Sequence, residues 1–300
     1  MATLIPYDDR DGQIWMDGKL IPWRDAKIHL LTHGLHYGSG VFEGCRAYSG
    51  HIFKLNEHSQ RLIESAKILD MKMTWTVEQI DQACIDTLKA SGLKDAYVRP
   101  VAWRGSEQMG VTAQKSKIHF AVAVWEWPNY FTPEMRENGL HLQTSRWQRP
   151  PAACAPVHSK AFGLYMICTL SKHAAENAGF HDALMLDYRG QVAEATGANF
   201  FMVKGGELHT PIPDCFLNGI TRRTIIDLAK SKGIKVTERV IMPAELGQAD
   251  ECFLTGTAAE VTAIGKIDNH TYKVGPVTRM LRDEYEKLVR QPPQKSKSVA

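Results

Sequence analysis

One lysine stands alone in a long apolar stretch of the chain. The stretch PVHSKAFGLYMICTL runs from Pro156 to Leu170, and Lys160 is its only charged residue. If this amine is buried its pKa falls, and an uncharged amine can form an imine with a carbonyl compound. A lysine at a helix start whose ammonium reaches solvent is the alternative. Ser159 beside Lys160 would also allow a Ser-Lys hydrolase pair, although adjacent side chains usually point apart.

Two glycine-containing stretches could bind an anion such as phosphate. In NGITRRT, residues 218–224, a glycine precedes Ile-Thr at a helix start, where free backbone N–H groups attract negative charge. The alternative is that Thr221 only caps the helix. In TGTAAE, residues 255–260, two hydroxyls flank a glycine, and small residues let backbone N–H groups approach a ligand. An ordinary strand-to-helix turn could use the same residues.

Three further charged residues stand where a charge needs a partner. Glu194 lies among small and apolar residues in VAEATGANFF. It could face a protonated ring nitrogen or form a salt bridge with an arginine elsewhere. In AYVRP, Tyr97 and Arg99 share one strand face, and arginine can bind a carboxylate through two hydrogen bonds; the alternative for Arg99 is an exposed strand position. Arg61 could bind an anion or lie on a solvated helix face.

The composition narrows the class of protein. A formal net charge of +3 is too small to make nucleic acid or a membrane surface the expected partner. No stretch is long and apolar enough for a transmembrane helix, and MATLIPYDDRDGQ does not resemble a signal peptide. The six cysteines include no C-x-x-C pair, which favours reduced cysteines in a cytoplasmic protein. His33 and His36 lack further ligands at metal spacing, so we expect no metal site.

The hydrophobic pattern predicts a mixed α and β protein of two domains, rich in hairpins and without steady βαβ alternation. Asp17 and Gly18 predict a hairpin turn, Asn56 predicts a helix cap, and Thr76 with Gln79 predicts a capping box. The segment PNYFTPEMRENG predicts a linker. The expected limits are a small N-terminal α/β domain at 1–127, a linker at 128–139, a large C-terminal domain at 140–290 and a flexible tail at 291–300.

Six stretches of the chain together resemble one known family. HYGSGVFEGCRAY, AYVRP, HSKAFGLYM, VAEATGANFFMV, NGITRR and FLTGTAAE occur here in the order found in the branched-chain amino-acid aminotransferases. These are fold type IV enzymes that depend on pyridoxal 5'-phosphate (PLP). The resemblance covers most of the 300 residues. It implies the two-domain fold type IV aminotransferase fold, PLP bound by the large domain, and at least a homodimer.

The resemblance also assigns residues to functions. Lys160 matches the catalytic lysine that forms the internal aldimine with PLP and carries the proton between substrate and cofactor. Glu194 matches the acid that pairs with the pyridine nitrogen, and Tyr165 matches the tyrosine near the phenolic oxygen. The implied phosphate site is Arg61, Ile220, Thr221 and Thr257. The implied substrate site is Tyr97, Thr257 and Ala258 at the α-carboxylate, Tyr37, Phe42 and Tyr130 as aromatic walls, Val111 from a neighbouring subunit, and Arg99 at the distal carboxylate of glutamate.

The implied reaction is ping-pong transamination of L-leucine, L-isoleucine and L-valine with 2-oxoglutarate, which gives branched-chain 2-oxo acids and L-glutamate. Relatives with the same cofactor act instead on D-amino acids or (R)-amines, or are aminodeoxychorismate lyases. A Ser-Lys amidohydrolase and a non-catalytic binding module are the alternatives outside this class. Cys45, where an aliphatic residue is more usual, and the polar loop 104–115, which we expect to be mobile, leave the substrate range open.

Overall fold

The computed structural model describes residues 5–127 and 133–291, which form two compact units. Unit 1 comprises the described residues of Met1–Lys67, Met71–Pro128 and Glu286–Ala300, and unit 2 those of Ile68–Asp70 and Asn129–Tyr285. Residues from Glu286 onward therefore group with unit 1, whereas the sequence assigned positions up to 290 to the second domain. The predicted domain limits stay a prediction.

Unit 1 is built on a seven-stranded sheet. Its strands are β1 (Gln13–Met16), β2 (Lys19–Pro22), β3 (Gly40–Phe42), β4 (Cys45–Tyr48), β5 (His51–Ile52), β6 (Ala96–Arg104) and β7 (Ile118–Glu126). Its helices are α1 (His33–Tyr37), α2 (Leu55–Ile68) and α3 (Val77–Ser91). The strand order is β2-β1-β7-β6-β4-β5, with β3 beside β6. Strands β6 and β7 pair along nine residues each, so they form the centre of this sheet.

Local sequence signals set several ends of these elements. The β1–β2 hairpin turns at Asp17 and Gly18, with φ of 48° and 103°, as predicted. The capping box of Thr76 and Gln79 is confirmed at the start of α3. The predicted cap at Asn56 is wrong, because α2 begins at Leu55. The Asn56 amide donates instead to Asp81 on α3, at 3.2 Å.

Unit 2 contains nine strands and four helices among its described residues. The strands are β8 (Leu140–Thr144), β9 (Asp182–Leu186), β10 (Val192–Ala195), β11 (Asn199–Lys204), β12 (Glu207–Thr210), β13 (Val236–Glu238), β14 (Glu251–Gly256), β15 (Glu260–Ile267) and β16 (His270–Thr271). The helices are α4 (Pro133–Asn138), α5 (Tyr165–Asn177), α6 (Ile220–Ser231) and α7 (Pro276–Arg290), and the last residues of α7, from Glu286, group with unit 1. Helix α4 lies inside the segment predicted as a linker.

Six strands of unit 2 close on themselves. The order runs β10-β9-β8-β15-β14-β11, and β10 also pairs with β11. Alternate residues point to opposite faces, so apolar side chains such as Phe200, Met202 and Leu254 fill the inner face. Glu194 pairs with Asn199, and Asn199 pairs with Thr255 on the next strand. These three polar residues therefore form a row on the outer face.

Helix α7 starts at Pro276, as its sequence predicts. The buried carboxylate of Glu251 accepts hydrogen bonds from the backbone N–H groups of Val277 and Thr278, at 3.1 and 2.8 Å. These bonds satisfy donors that the first turn of a helix leaves without intrahelical partners. Within the described ranges, no helix is long and apolar enough to cross a membrane.

Candidate active site

Lys160 lies directly before the short 3₁₀ turn Phe162–Leu164 that leads into α5. Its side chain is half-buried, between the buried residues Ser159 and Ala161. The Nζ atom donates to the hydroxyl of Tyr165, the first residue of α5, at 2.7 Å. The apolar run after Lys160 thus forms the helix that brings Tyr165 back to the amine, and the predicted pair is adjacent in space.

Glu194 is buried on β10, 9% exposed, with only partial compensation of its charge. Arg149, itself buried, places Nε 3.4 Å from Glu194 Oε1. That Nε makes no hydrogen bond within the described residues, so the pair attracts by charge without good alignment. Asn199 donates to Glu194 Oε2 at 3.2 Å. Burial raises the pKa of Glu194 to about 7, although the charges of Arg149 and Lys160 act in the opposite direction.

This geometry bears on the two alternatives for Glu194, a salt bridge with an arginine and a contact with a protonated ring nitrogen. A salt-bridging arginine exists, and it is Arg149. Its attraction does not outweigh burial, so the carboxylate gains or loses a proton near neutral pH. A buried carboxylate in this state gains stability from a further cationic group, such as a protonated ring nitrogen.

The start of α6 has the properties of an anion site. Gly219 is the N-cap residue, and no side chain caps the helix. The alternative that Thr221 is the cap is therefore wrong; Thr221 lies inside the helix and is buried, as is Ile220. Backbone N–H groups at such a start carry partial positive charge. A neighbouring group is Asn199, which accepts from the Gly219 N–H at 3.1 Å.

Thr257 and Ala258 lie in the turn that joins β14 to β15, and both are half-buried. This turn is a strand-to-strand turn, whereas the sequence suggested a strand-to-helix turn. A Cβ atom at Gly256 would meet the carbonyl oxygen of Gly197 at 3.3 Å. The turn therefore packs closely against the loop that follows Glu194.

In unit 1, Arg99 is surrounded by aromatic rings. Its guanidinium carbon lies 4.7 Å from the ring centre of Phe42 and 5.9 Å from that of Trp125. One Nη donates to the hydroxyl of Tyr97 at 3.2 Å. The buried Nε makes no hydrogen bond within residues 5–127 and 133–291. Arg99 therefore keeps donor capacity for a carboxylate, which the exposed-strand alternative does not explain.

Tyr97 is held between two tryptophans and a glycine. Its ring lies 4.9 Å from the ring of Trp125 and 4.5 Å from that of Trp127. A side chain at Gly44 would collide with the Tyr97 hydroxyl. The glycine of the VFEG motif thus gives this hydroxyl room beside the backbone.

Arg61 forms an ion pair that the sequence did not indicate. Its Nε and one Nη donate to the two carboxylate oxygens of Glu43, at 2.6 and 2.8 Å. His58 Nδ1 lies 2.6 Å from Glu43 Oε2. Burial opposes ionisation of Glu43, but Arg61 and His58 outweigh burial and hold its pKa well below the usual range. Two nitrogens of Arg61 therefore serve this pairing, and the predicted phosphate contact stays a prediction.

Two further predicted substrate residues, Tyr37 and Val111, are exposed in unit 1. Tyr37 is 47% exposed and stacks on His33, with ring centres 4.6 Å apart. Val111 is 89% exposed. Its loop is attached to α1, since His33 Nε2 lies 2.9 Å from the carbonyl oxygen of Gly110. Tyr130 lies outside the described residues.

Sequence reasoning missed the partners of the predicted residues. Glu43, Arg149 and Asn199 are all buried polar residues. Only a polar side chain next to apolar residues could have marked Glu43, between β3 and β4, and Asn199, at the start of β11. Arg149 lies in the irregular segment after β8, where no periodic pattern shows which side chains are buried. Their contacts join positions far apart in the sequence, and such contacts are decided by packing.

Comparison with known proteins places this site in a family. Residues 40–267 match the family model described as Amino-transferase class IV. The chain is 42% identical over 288 residues to the branched-chain-amino-acid aminotransferase of Pseudomonas aeruginosa, covering 94% of each chain. The chain therefore belongs to the class IV aminotransferases.

Solved structures show the same fold. The branched-chain aminotransferase of Thermoproteus uzoniensis with norvaline superposes with a TM-score of 0.90 and 36% identity, covering 94% of this chain and 95% of that one. The branched-chain amino acid aminotransferase of T.th., complexed with N-(5'-phosphopyridoxyl)-L-glutamate, gives a TM-score of 0.89 and 38% identity, with 94% and 96% coverage. The predicted family and the mixed α and β, fold type IV architecture are confirmed.

Proposed function

We propose that the protein is a PLP-dependent branched-chain amino-acid transaminase that uses 2-oxoglutarate as amino acceptor. The observation that carries the proposal is the grouping of Lys160, Tyr165 and Glu194 in a chain of this family. Its relatives, including the structures with norvaline and with a phosphopyridoxyl-glutamate, support the cofactor and both substrate types.

The residues of unit 2 fit PLP by their chemistry. Lys160 offers the amine, the uncapped start of α6 with Ile220 and Thr221 offers N–H donors for phosphate, and Thr257 offers a hydroxyl. Glu194 is under-compensated, so a protonated pyridine nitrogen beside it would hold the carboxylate ionised. When bound, PLP supplies a carbonyl carbon that exchanges amines and a ring that accepts electrons.

The residues then act around that group. Lys160 Nζ takes the α-proton of the amino acid and later returns a proton, and the Tyr165 hydroxyl holds Nζ in position. Glu194 keeps the ring nitrogen protonated. Arg61 is proposed as the guanidinium of the phosphate site, with Glu43 fixing its orientation.

Substrate selection is proposed to depend on polar groups that bind the carboxylates and on apolar side chains that contact the branched side chain. We assign the binding of the α-carboxylate to Thr257, the N–H of Ala258 and Tyr97. Phe42, Tyr37 and Tyr130 supply apolar walls for a branched side chain. Arg99 binds the distal carboxylate of glutamate, which its spare donor capacity favours.

The test is a substrate panel on the purified protein. We expect transamination of L-leucine, L-isoleucine and L-valine with 2-oxoglutarate, and a yellow absorbance that borohydride bleaches while labelling Lys160. The Lys160→Ala variant should lose turnover by at least about 1000-fold. Lys204→Ala is the matched control, since Lys204 lies at the far end of β11 and binds Gln248. Activity only with D-alanine or (R)-1-phenylethylamine would overturn the proposal.

We further propose that the protein is at least a homodimer and works in the cytoplasm. Leu30, Leu35 and Val111 are 75%, 60% and 89% exposed, and a contact between His33 and Gly110 holds their segments together. An exposed apolar patch of this kind favours association. All six cysteines are free, which favours a reducing compartment.

The oligomer can be tested by light scattering after gel filtration. Val111→Asp should shift the protein towards monomer, whereas Val240→Asp, at an apolar residue of unit 2 that is 44% exposed, should not. A wild-type protein that is monomeric at micromolar concentration would refute this part of the proposal.

A further inference from the structure

Asn199 is the first residue of β11 and is buried, 5% exposed. Both amide N–H groups and the amide oxygen of Asn199 make hydrogen bonds. Nδ2 donates to Glu194 Oε2 at 3.2 Å and to the carbonyl oxygen of Leu217 at 3.0 Å. Oδ1 accepts from the backbone N–H of Gly219 at 3.1 Å. One side chain therefore contacts both the carboxylate on β10 and the segment that starts α6.

No other residue type offers this combination in the same space. Two donors and an acceptor on one short planar group are the property of asparagine. Aspartate would keep the acceptor and lose both donors, and leucine would lose all three contacts. The close approach of Asn199 to α6 also requires glycine at position 219, because a Cβ atom there would collide with Asn199 Oδ1.

Gly219 is not required here for its backbone angles. Its φ of −60° and ψ of 143° are accessible to any L-residue. The steric reason for glycine is therefore the proximity of the Asn199 side chain. A substitution at Gly219 would move Asn199 without changing the chemistry of any polar group.

We propose that Asn199 is a positioning residue that couples the Glu194 carboxylate to the start of helix α6. The inference rests on the proposed function, in which Glu194 faces the ring nitrogen and α6 receives the phosphate. Asn199 then fixes the position of the Glu194 carboxylate relative to the start of α6, which are the two ends of the proposed cofactor site. In this role Asn199 acts through its hydrogen bonds with Glu194 and Gly219.

The contact of Asn199 with the Gly219 N–H can be separated from its contact with Glu194 by substitution. In Asn199→Asp the acceptor for the Gly219 N–H remains, while a second carboxylate replaces the donors to Glu194 and to the carbonyl oxygen of Leu217. Like charges at this distance raise the affinity of Glu194 for a proton. In Asn199→Ala all three contacts are lost. In Gly219→Ala, Asn199 keeps its amide and is displaced.

The experiment compares these three variants as holoenzymes with wild type. For Asn199→Asp we expect a fall in turnover of L-leucine of about 10- to 100-fold, the effect of losing a hydrogen bond to a charged group. The pH at which activity is half-maximal on the acid side should rise by about one unit. Competition of inorganic phosphate against PLP during reconstitution should change by less than about threefold, because the acceptor for the Gly219 N–H at the start of α6 remains.

Asn199→Ala should show the same turnover loss together with a PLP dissociation constant raised by about 10-fold, because the start of α6 is released as well. Gly219→Ala should shift the acid side of the pH profile in the same direction as Asn199→Asp. That shift is the sign of coupling, because Gly219 carries no group that contacts Glu194.

Ser171→Ala is the matched control for lost buried hydrogen bonds. Ser171 is 2% exposed on α5 and bonds to Ser145 and to the carbonyl oxygen of Ile167, both at 2.7 Å. It should lower the unfolding temperature without shifting the pH profile. The inference is overturned if Asn199→Asp or Gly219→Ala leaves the profile where wild type has it, or if Ser171→Ala shifts it equally. A wild-type protein without bound PLP or transaminase activity refutes the proposed function and this inference together, whereas an active wild type with an insensitive Asn199 refutes only the inference.

Discussion

Two buried glutamates, one in each unit, have opposite electrostatic surroundings. Glu43 in unit 1 receives two hydrogen bonds from Arg61 and one from His58, all between 2.6 and 2.8 Å. Glu194 in unit 2 has Arg149 at 3.4 Å and the Asn199 amide at 3.2 Å. Burial acts on both carboxylates, yet the pKa of Glu43 is held well below its usual range while the pKa of Glu194 rises to about 7.

The difference separates a structural carboxylate from one suited to bind a ligand. The charge of Glu43 is compensated inside unit 1 by well-aligned donors, so little is gained from a further cation. Glu194 has contacts that fix its orientation and leave its charge under-compensated. A cation that approaches Glu194 therefore gains free energy that Glu43 does not offer. A sequence can suggest that an acid is buried. Burial alone does not distinguish a compensated carboxylate such as Glu43 from an under-compensated one such as Glu194.

Breaking the compensated pair should have the largest effect. Arg61→Met leaves Glu43 buried with His58 alone, and we expect a loss of about 3–5 kcal/mol in the free energy of unfolding. Urea unfolding followed by tryptophan fluorescence measures it, because six of the seven tryptophans lie in unit 1. Arg24→Met, which breaks an exposed pair with Asp9 and Asp11, is the control and should leave the midpoint nearly unchanged. Equal midpoints for Arg61→Met and wild type would contradict the comparison.

Neutralising the under-compensated carboxylate should affect catalysis more than folding. We expect Glu194→Gln to lower the turnover number by about 100- to 1000-fold, because the ring nitrogen loses its charged partner. Steady-state kinetics with L-leucine gives the catalytic readout, and urea unfolding followed by far-UV circular dichroism, which reports on both units, gives the stability readout. Glu207→Gln, at an exposed partner of Lys235, serves as control. Activity within threefold of wild type would show that Glu194 does not act on the cofactor.

The two glutamates should also give opposite pH dependences in the ligand-free protein. The folded pKa of Glu194 is raised from 4.5, so its contribution to stability is fully present below pH 4.5 and is lost as pH rises through about 7. Glu43 has a lowered pKa, so its contribution is present above the usual pKa and is lost in strong acid.

Urea unfolding between pH 4.5 and 8 isolates the Glu194 contribution. Across this range, Glu194→Gln should remove a decline of about 3 kcal/mol from the stability curve, since one pKa unit corresponds to about 1.4 kcal/mol. Parallel curves for the variant and wild type would contradict the assignment to Glu194.

Substitution of Arg149, the charged neighbour of Glu194, should have the smallest effect on activity. Arg149→Met removes a nearby positive charge, and we expect the pKa of Glu194 to rise by about one further unit. The acid side of the activity profile should move upward by the same amount. Arg146→Met, at an exposed arginine three residues earlier, should not move it. An unmoved profile in Arg149→Met would mean that the 3.4 Å pair contributes no measurable attraction.

Local signals in the sequence predicted much of the fold. The Asp-Gly turn at residues 17–18 and the capping box at Thr76 depend on neighbours within a few positions, and both are present. Strands β10 and β15 have a weak local pattern, because small residues and glycine interrupt it. Closure of the sheet through the β10–β11 pairing joins strands by packing and hydrogen bonds that no local pattern encodes.

The sequence by itself determined the family and the types of residue available for chemistry, including Lys160 and Tyr165 five positions apart. Only the tertiary structure decided what each charge meets. The fold pairs Arg61 with Glu43 and places Arg149 beside Glu194 without good hydrogen-bond alignment. It also connects Glu194 to the start of α6 through the hydrogen bonds of Asn199. The physical reason is that a pKa depends on burial and on distances of a few ångströms between residues from separate strands and helices.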